Sequence, residues 1–236
     1  MREVCLLDGA LPGHLCRTRA EWSANVAFSG GAPAAVVAVC YEAVDVEKDW
    51  GLYMPMNYEE LDEETRKSML SEFEREQANT NHYESKALSS YGLTVFPNLM
   101  RIAIRSGNEE TLNMALDQAG MWLPEEEYTR NGITRLRRRN INQSAIRLAV
   151  TEFSTWYVRG FAARLLAEGV MNCRVYRAEQ PKWEPGECSE HEGLIVSVQM
   201  IHDNHRVRYW PEPGDSSAFS IPFGPGCHHV IRRVAR

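Results

Sequence analysis

The stretch Asn142–Glu168 reads NQSAIRLAVTEFSTWYVRGFAARLLAE, and its pattern decides the fold. Ile146, Val150, Phe153, Tyr157, Phe161 and Leu165 recur at intervals of three and four residues, which lays one apolar stripe along an α-helix. Ala145, Ala149, Gly160, Ala163 and Ala167 form a second face of small residues, and Gly169 supplies a helix stop. At the helical rise the segment spans ~40 Å, long for a helix standing alone. Two such faces predict packing against other helices or a partner chain.

Downstream of Gly169 the texture changes. Asn172–Arg177 alternates through Cys173 and Val175, Leu194–Ile201 is β-branched and apolar, and His205–Trp210 alternates through Val207 and Tyr209. His228–Val234 predicts a closing strand. The turns PKWEPGE, WPEPGD and PFGPG separate these segments. Upstream, YEELDEETRKSMLSEFEREQAN places Leu61, Met69, Leu70 and Phe73 near helical spacing behind an acidic start that suits the positive end of the helix dipole. A second helix is predicted from Ser106, with Ser106-x-x-Glu109 as capping box and Gly120 as stop. The expected class is α+β: a helical region holding one long helix over about 142–168, then a small antiparallel β unit. Three regions follow: an irregular segment 1–57, a mainly helical region 58–169 and the β unit 170–236.

The chain has 236 residues, 44% hydrophobic and 25% charged, as in ordinary globular proteins. No apolar run approaches the ~18 residues of a membrane helix. The opening MREVCLLDGALPGH lacks the basic start and apolar core of a secretory signal, which predicts the cytoplasm of the producing cell as the site of synthesis. The net charge is −6. Residues 1–100 carry 8 basic and 16 acidic side chains, residues 101–170 carry 10 and 8, and residues 171–236 carry 8 and 8. Any contact with nucleic acid therefore belongs to the middle or the end of the chain. The densest basic segment holds Arg130, Arg135, Arg137, Arg138, Arg139 and Arg147, with no acid between them. It reads either as the solvated basic start of the long helix or as a contact for DNA or an acidic partner surface. Arginines oppose the dipole at a helix start, which favours an external anion.

Six cysteines are too few for a disulfide scaffold. Cys5, Cys16 and Cys40 read as free thiols, whereas Cys173, Cys188 and Cys227 lie among histidines. Cys188-x-x-His191 followed far downstream by Cys227-x-His229 can supply four zinc ligands on two turns of one small β unit. Buried cysteine and surface histidine remain the plain alternative. His202-Asp-Asn-His205 reads as a solvated turn rather than a metal or nuclease fragment. Phosphate-binding glycine loops and a G-x-S-x-G elbow are absent from the sequence.

The last third resembles the Mu F-like phage head morphogenesis family, the minor head proteins of tailed phages. The resemblance covers about Ile141–Val234. It rests on AIRLAVTEFSTWYVRGFAARLLAEGV with Thr151-Glu152, Gly160 and Gly169-Val170, on Cys188-S-E-H-E-Gly193-LIVSV, and on Pro222-F-Gly224-Pro225-G-Cys227-H-His229-VIRRV. Pro185 stands where many members have an earlier cysteine, and Gly224 where the closing motif has histidine. The resemblance implies a non-enzymatic virion protein, several copies per particle, bound to portal or major capsid protein in the head or head–neck region. It would act in head assembly and genome packaging or delivery, with packaged double-stranded DNA as a further contact. Two rivals stand beside it: a zinc-stapled DNA-binding module, and a small hydrolase using Cys227 or Cys188 with a neighbouring histidine.

Overall fold

Asp62 opens the first helix, α1 (Glu63–Gln77), by accepting a hydrogen bond from the Thr65 N–H at 2.9 Å. In this computed structural model, residues 55–179 and 187–234 are described, apart from the side chains of residues 187 and 188. Within them the chain is α+β, as its periodicities predict. No helix of the described residues is long and apolar enough to cross a membrane.

Helix α2 (Ser90–Ser106) is not among the predicted helices and contains Pro97. Ser89 caps it by accepting from Gly92 N–H at 3.0 Å. The predicted box at Ser106 belongs elsewhere: Ser106 ends α2, and α3 (Glu109–Leu116) starts at Asn108. The Asn108 side chain accepts from the Thr111 N–H while the Thr111 hydroxyl accepts from the Asn108 N–H. Glu109, expected to complete the Ser106 box, is buried and accepts from the Met56 N–H at 2.8 Å. The helix stops at Asp117, ahead of the predicted Gly120.

A hairpin follows, β1 (Glu125–Arg130) paired antiparallel with β2 (Ile133–Arg138). Asn131 and Gly132 both take positive φ, 52° and 75°, as a two-residue turn of the favoured hairpin hand requires. The basic segment is therefore not the start of the long helix: Arg130, Arg135, Arg137 and Arg138 are on strands, and only Arg147 is helical. Helix α4 (Ile141–Ala167) begins at Asn140, whose side chain accepts from the Gln143 N–H.

Helix α4 is one continuous 27-residue helix, close to its predicted bounds. Its small and large faces are both covered from within the chain. Met69 of α1 lies against Gly160, where an added Cβ would sit 2.5 Å from the Met69 backbone. Phe73 meets Trp156 edge-on at 5.1 Å. The buried run Phe153–Val158 spans the whole circumference of the helix, which is what a helix at the centre of a core requires. Of the two expectations for α4, packing against other elements of the same chain is the one seen among the described residues: α1, α3 and the β unit lie against it.

Beyond Gly169 the sheet has the order β4-β3-β5, all antiparallel, from β3 (Asn172–Arg177), β4 (Ile195–Ser197) and β5 (His229–Arg233). The strands at 172–177 and at the C-terminal end are as predicted. The segment 194–201 is only half strand, because the Ser197 side chain caps a short helix, α5 (Val198–Asp203). His205–Trp210 forms turns instead of a strand, with Arg206 at φ 62°. Asn57 donates to the Ala178 carbonyl and Glu60 takes Arg233 at 2.7 Å, so one core runs across the change from helices to sheet.

Candidate functional site

Three clusters of polar chemistry arise from this packing. The first is the predicted zinc corner. Cys227 ends the PFGPG turn and His229 begins β5, so both are carried inward by the edge strand. The Cys227 Sγ accepts from the His229 N–H and lies 3.6 Å from its Nδ1. Two ligands of one tetrahedral zinc stand about 3.6 Å apart, given Zn–S near 2.3 Å and Zn–N near 2.05 Å, so this pair has a suitable spacing. The rest of the set does not assemble among the described residues. His191 sits on the 3-10 turn Glu187–His191 and packs on Phe219 and Phe223, at 5.2 and 4.8 Å between ring centres. The Cys188 side chain lies outside the described residues. No described group of three or more His, Cys, Asp or Glu side chains is arranged to hold a metal ion.

His229 is wholly buried, and burial, aided by the Arg177 charge, lowers its pKa and keeps the ring neutral. Its Nε2 makes no hydrogen bond; the nearest carboxylate oxygen, on Glu192, is 3.8 Å away. Cys227 is 5% exposed. The thiol and imidazole, both buried, brace the turn into β5. Cys173 is buried in β3, and burial pushes its thiol up to about 12, which makes it inert.

The second cluster centres on Arg206, in the turn after α5. Its guanidinium makes two bonds to the Glu152 carboxylate, one to the Tyr209 hydroxyl, and lies over the rings of Tyr83 and Trp156. Glu76 and Glu72 of α1 add carboxylates four residues apart on one helix face, gripped by Arg159 of α4 at 2.9 and 2.7 Å. His202 and His205, read from sequence as a solvated turn, are the correction here. The end of α5 and the turn behind it bring both rings to α1: His205 Nε2 is 3.1 Å from Glu76, and His202 Nε2 is 3.5 Å from Glu72. Burial lowers the His205 pKa to about 3, with the Arg206 and Arg159 charges acting the same way against the Glu76 hydrogen bond. Neutral His205 therefore donates Nε2–H to Glu76. For Glu76, burial is outweighed by that hydrogen bond and by Arg206 and Arg159, and its pKa falls to about 2. Each of these carboxylates already has a cationic partner. The cluster clamps α1, α4 and the 204–210 turn together.

The third cluster is the β1–β2 hairpin. All of β2 is exposed, including Ile133 and Leu136. The register pairs Glu126 with Arg137, Tyr128 with Arg135 and Arg130 with Ile133, which sets these six side chains on one face. Arg138 and Leu136 lie on the other. Glu126 accepts from Arg137 at 2.7 Å and from Arg139 at 3.2 Å, and Arg139 also caps the carbonyls of Leu123 and Glu125. Both arginines are engaged by that one carboxylate, which offsets one of their two charges. Among the described residues Arg130, Arg135, Arg138 and Arg147 have no carboxylate partner. At the base of the hairpin a cleft of about 300 Å³ separates it from the start of α4, lined among others by Glu126, Arg137, Arg139, Gln143 and Arg147.

Compared with protein-family models, with curated proteins and with solved structures, the chain has no match.

Proposed function

We propose that this chain is a virion structural protein of the minor-head type, similar to the Mu F-like proteins its last third resembles. It acts by holding neighbours in place and not by turning over a substrate. The proposed setting is the head or head–neck region of a phage particle, after synthesis in the host cytoplasm. Its partners there are portal protein or major capsid protein, with several copies per particle.

One observation carries the reading: the residues that make the resemblance are the ones that tie the C-terminal half together. Thr151 Oγ1 accepts from the Gly226 N–H at 3.4 Å, joining the middle of α4 to the Cys227 turn. Glu152 holds Arg206, and Gly160 admits Met69. Gly169 and Gly193 take φ of 74° and 82°, where a side chain would be strained, and the Gly193 N–H donates to the Val175 carbonyl. Motif residues that brace a scaffold, around a closed Cys227–His229 corner, support a structural role.

The test is particle fractionation. Purified virions should contain the chain at low copy number by mass spectrometry, and it should co-sediment with portal protein. Particles that are complete without it overturn the proposal.

A second reading, a zinc-stapled module, has one observation in its favour, the 3.6 Å spacing of Cys227 Sγ and His229 Nδ1. It requires one zinc per chain by elemental analysis. A metal-free protein whose melting is unchanged by chelator removes it.

A further inference from the structure

We infer that one face of the β1–β2 hairpin, together with Arg147, binds the phosphate backbone of double-stranded DNA without regard to sequence. This deepens the DNA contact expected of the basic segment by placing it on named side chains, and its test does not need the virion role, because it concerns the isolated chain.

The argument starts from what the hairpin does not do. A two-stranded ribbon is marginal by itself, and this one leaves all of β2 in solvent. Folding alone does not call for so many arginines there. Two of them are accounted for: Arg137 and Arg139 neutralise Glu126 and pin the base of the hairpin. Arg130 and Arg135 remain, on the same face as Tyr128 and in the distal half, where residues 128–136 hold no acid. Arg147 lines the cleft at the foot of that face. The carboxylates near the cleft are already engaged, Glu126 by Arg137 and Glu152 by Arg206. Two guanidinium groups without a carboxylate partner among the described residues thus share one hairpin face, with a third on the cleft beside it, on a chain whose net charge is −6.

The chemistry favours phosphate over an acidic protein surface. Guanidinium forks match phosphate oxygens in pairs. Protein interfaces need a central apolar anchor with charge depleted around it. This face has Ile133 at the tip, Tyr128 under the Arg137 guanidinium at 5.2 Å, and otherwise arginine and glutamate. A two-stranded ribbon is also of a width that the major groove of duplex DNA, ~12 Å across, admits. Guanidinium groups bind phosphates whatever the sequence, so we assign the binding to the backbone.

The experiment uses the full chain and a 30-base-pair duplex of arbitrary sequence, with affinity measured by fluorescence anisotropy across a salt series. Three phosphate contacts predict a log–log slope near −2.7, or roughly 40-fold weaker binding at 200 mM than at 50 mM salt. The double variant R130A/R135A should lower the slope by about 1.8 and R147A by about 0.9, while thermal melting stays unchanged. R138A, on the opposite face, should leave affinity within about twofold. A second sequence of equal length should bind equally. No binding at 50 mM salt, or binding that survives R130A/R135A, overturns the inference. Retention by poly-glutamate as strong as by the duplex overturns DNA as the partner and assigns the face to an acidic protein.

Discussion

Arg206 and Glu152 face each other through two hydrogen bonds, at 2.9 and 2.7 Å, with both side chains 2% exposed. The pair joins the turn after α5 to the middle of α4, and Arg206 accepts a left-handed backbone to make it. A non-glycine residue holds that conformation only where its surroundings repay the strain, of order 1–3 kcal/mol. Here the repayment is two charge-assisted bonds and two aromatic faces in a dry setting.

Replacing Arg206 by Met should therefore destabilise the fold by about 3–5 kcal/mol, because it strands a buried carboxylate. Adding Glu152→Gln should recover a good part of the loss. Urea denaturation of the single and double variants measures both effects, and an R206M protein as stable as the parent would show the pair to be dispensable.

Stability should fall on mild acidification. The His205 pKa is about 3 in the fold against an ordinary 6.5, so below pH 6.5 the unfolded chain takes up a proton that the fold refuses. The contribution is complete above pH 6.5 and shrinks steadily towards pH 3, by on the order of 2 kcal/mol between pH 7 and pH 5. His229, also lowered, acts in the same direction. Below pH 4.5 Glu76, at about 2 in the fold, adds a further loss. Denaturation free energies at pH 7, 6 and 5 should show the decline, and His205→Asn should flatten it. A parent protein with the same stability at pH 7 and pH 5 would mean that His205 is charged in the fold.

Gly160 tests the helix crossing. A Cβ there would lie 2.5 Å from the Met69 backbone, which cannot move aside as a side-chain tip can. Gly160→Val should cost at least the ~1–3 kcal/mol of an overpacked core site, read as a lowered melting temperature. Gly120→Ala, where an added Cβ meets no atom within 4 Å, serves as the control and should be nearly neutral.

Iodoacetamide should label Cys173 in the unfolded chain and spare it in the native one. Its thiol is buried, pushed up to about 12, and bonded to the Val196 carbonyl. Peptide mass spectrometry of native and urea-treated protein makes the comparison, and rapid native labelling would show that β3 opens.

The elements legible in the sequence were those whose signal is local. The three- and four-residue spacing through Phe153, Tyr157 and Phe161 marks α4, and the alternation at Cys173 and Val175 marks β3. The hairpin too has a local signal, Asn131-Gly132, but the arginines on either side of it give no apolar alternation to mark the strands. Helix α2 was hidden by Pro97, which breaks the usual reading although the helix continues through it. At the zinc corner, spacing could suggest Cys227 and His229 as neighbours but could not bring His191 to them, since its ring packs on Phe219 and Phe223.

By itself the sequence determined the long helix, the strands at either end of the β unit and the α+β class, because side-chain periodicity and capping act over a few residues. Only the tertiary structure decided that both faces of α4 are occupied from within, that Glu76 meets His205 across 129 residues, and that Glu126 engages Arg137 and Arg139 but not Arg130 or Arg135. Those outcomes depend on which distant groups share a low-dielectric space or a strand register, and no local pattern records that.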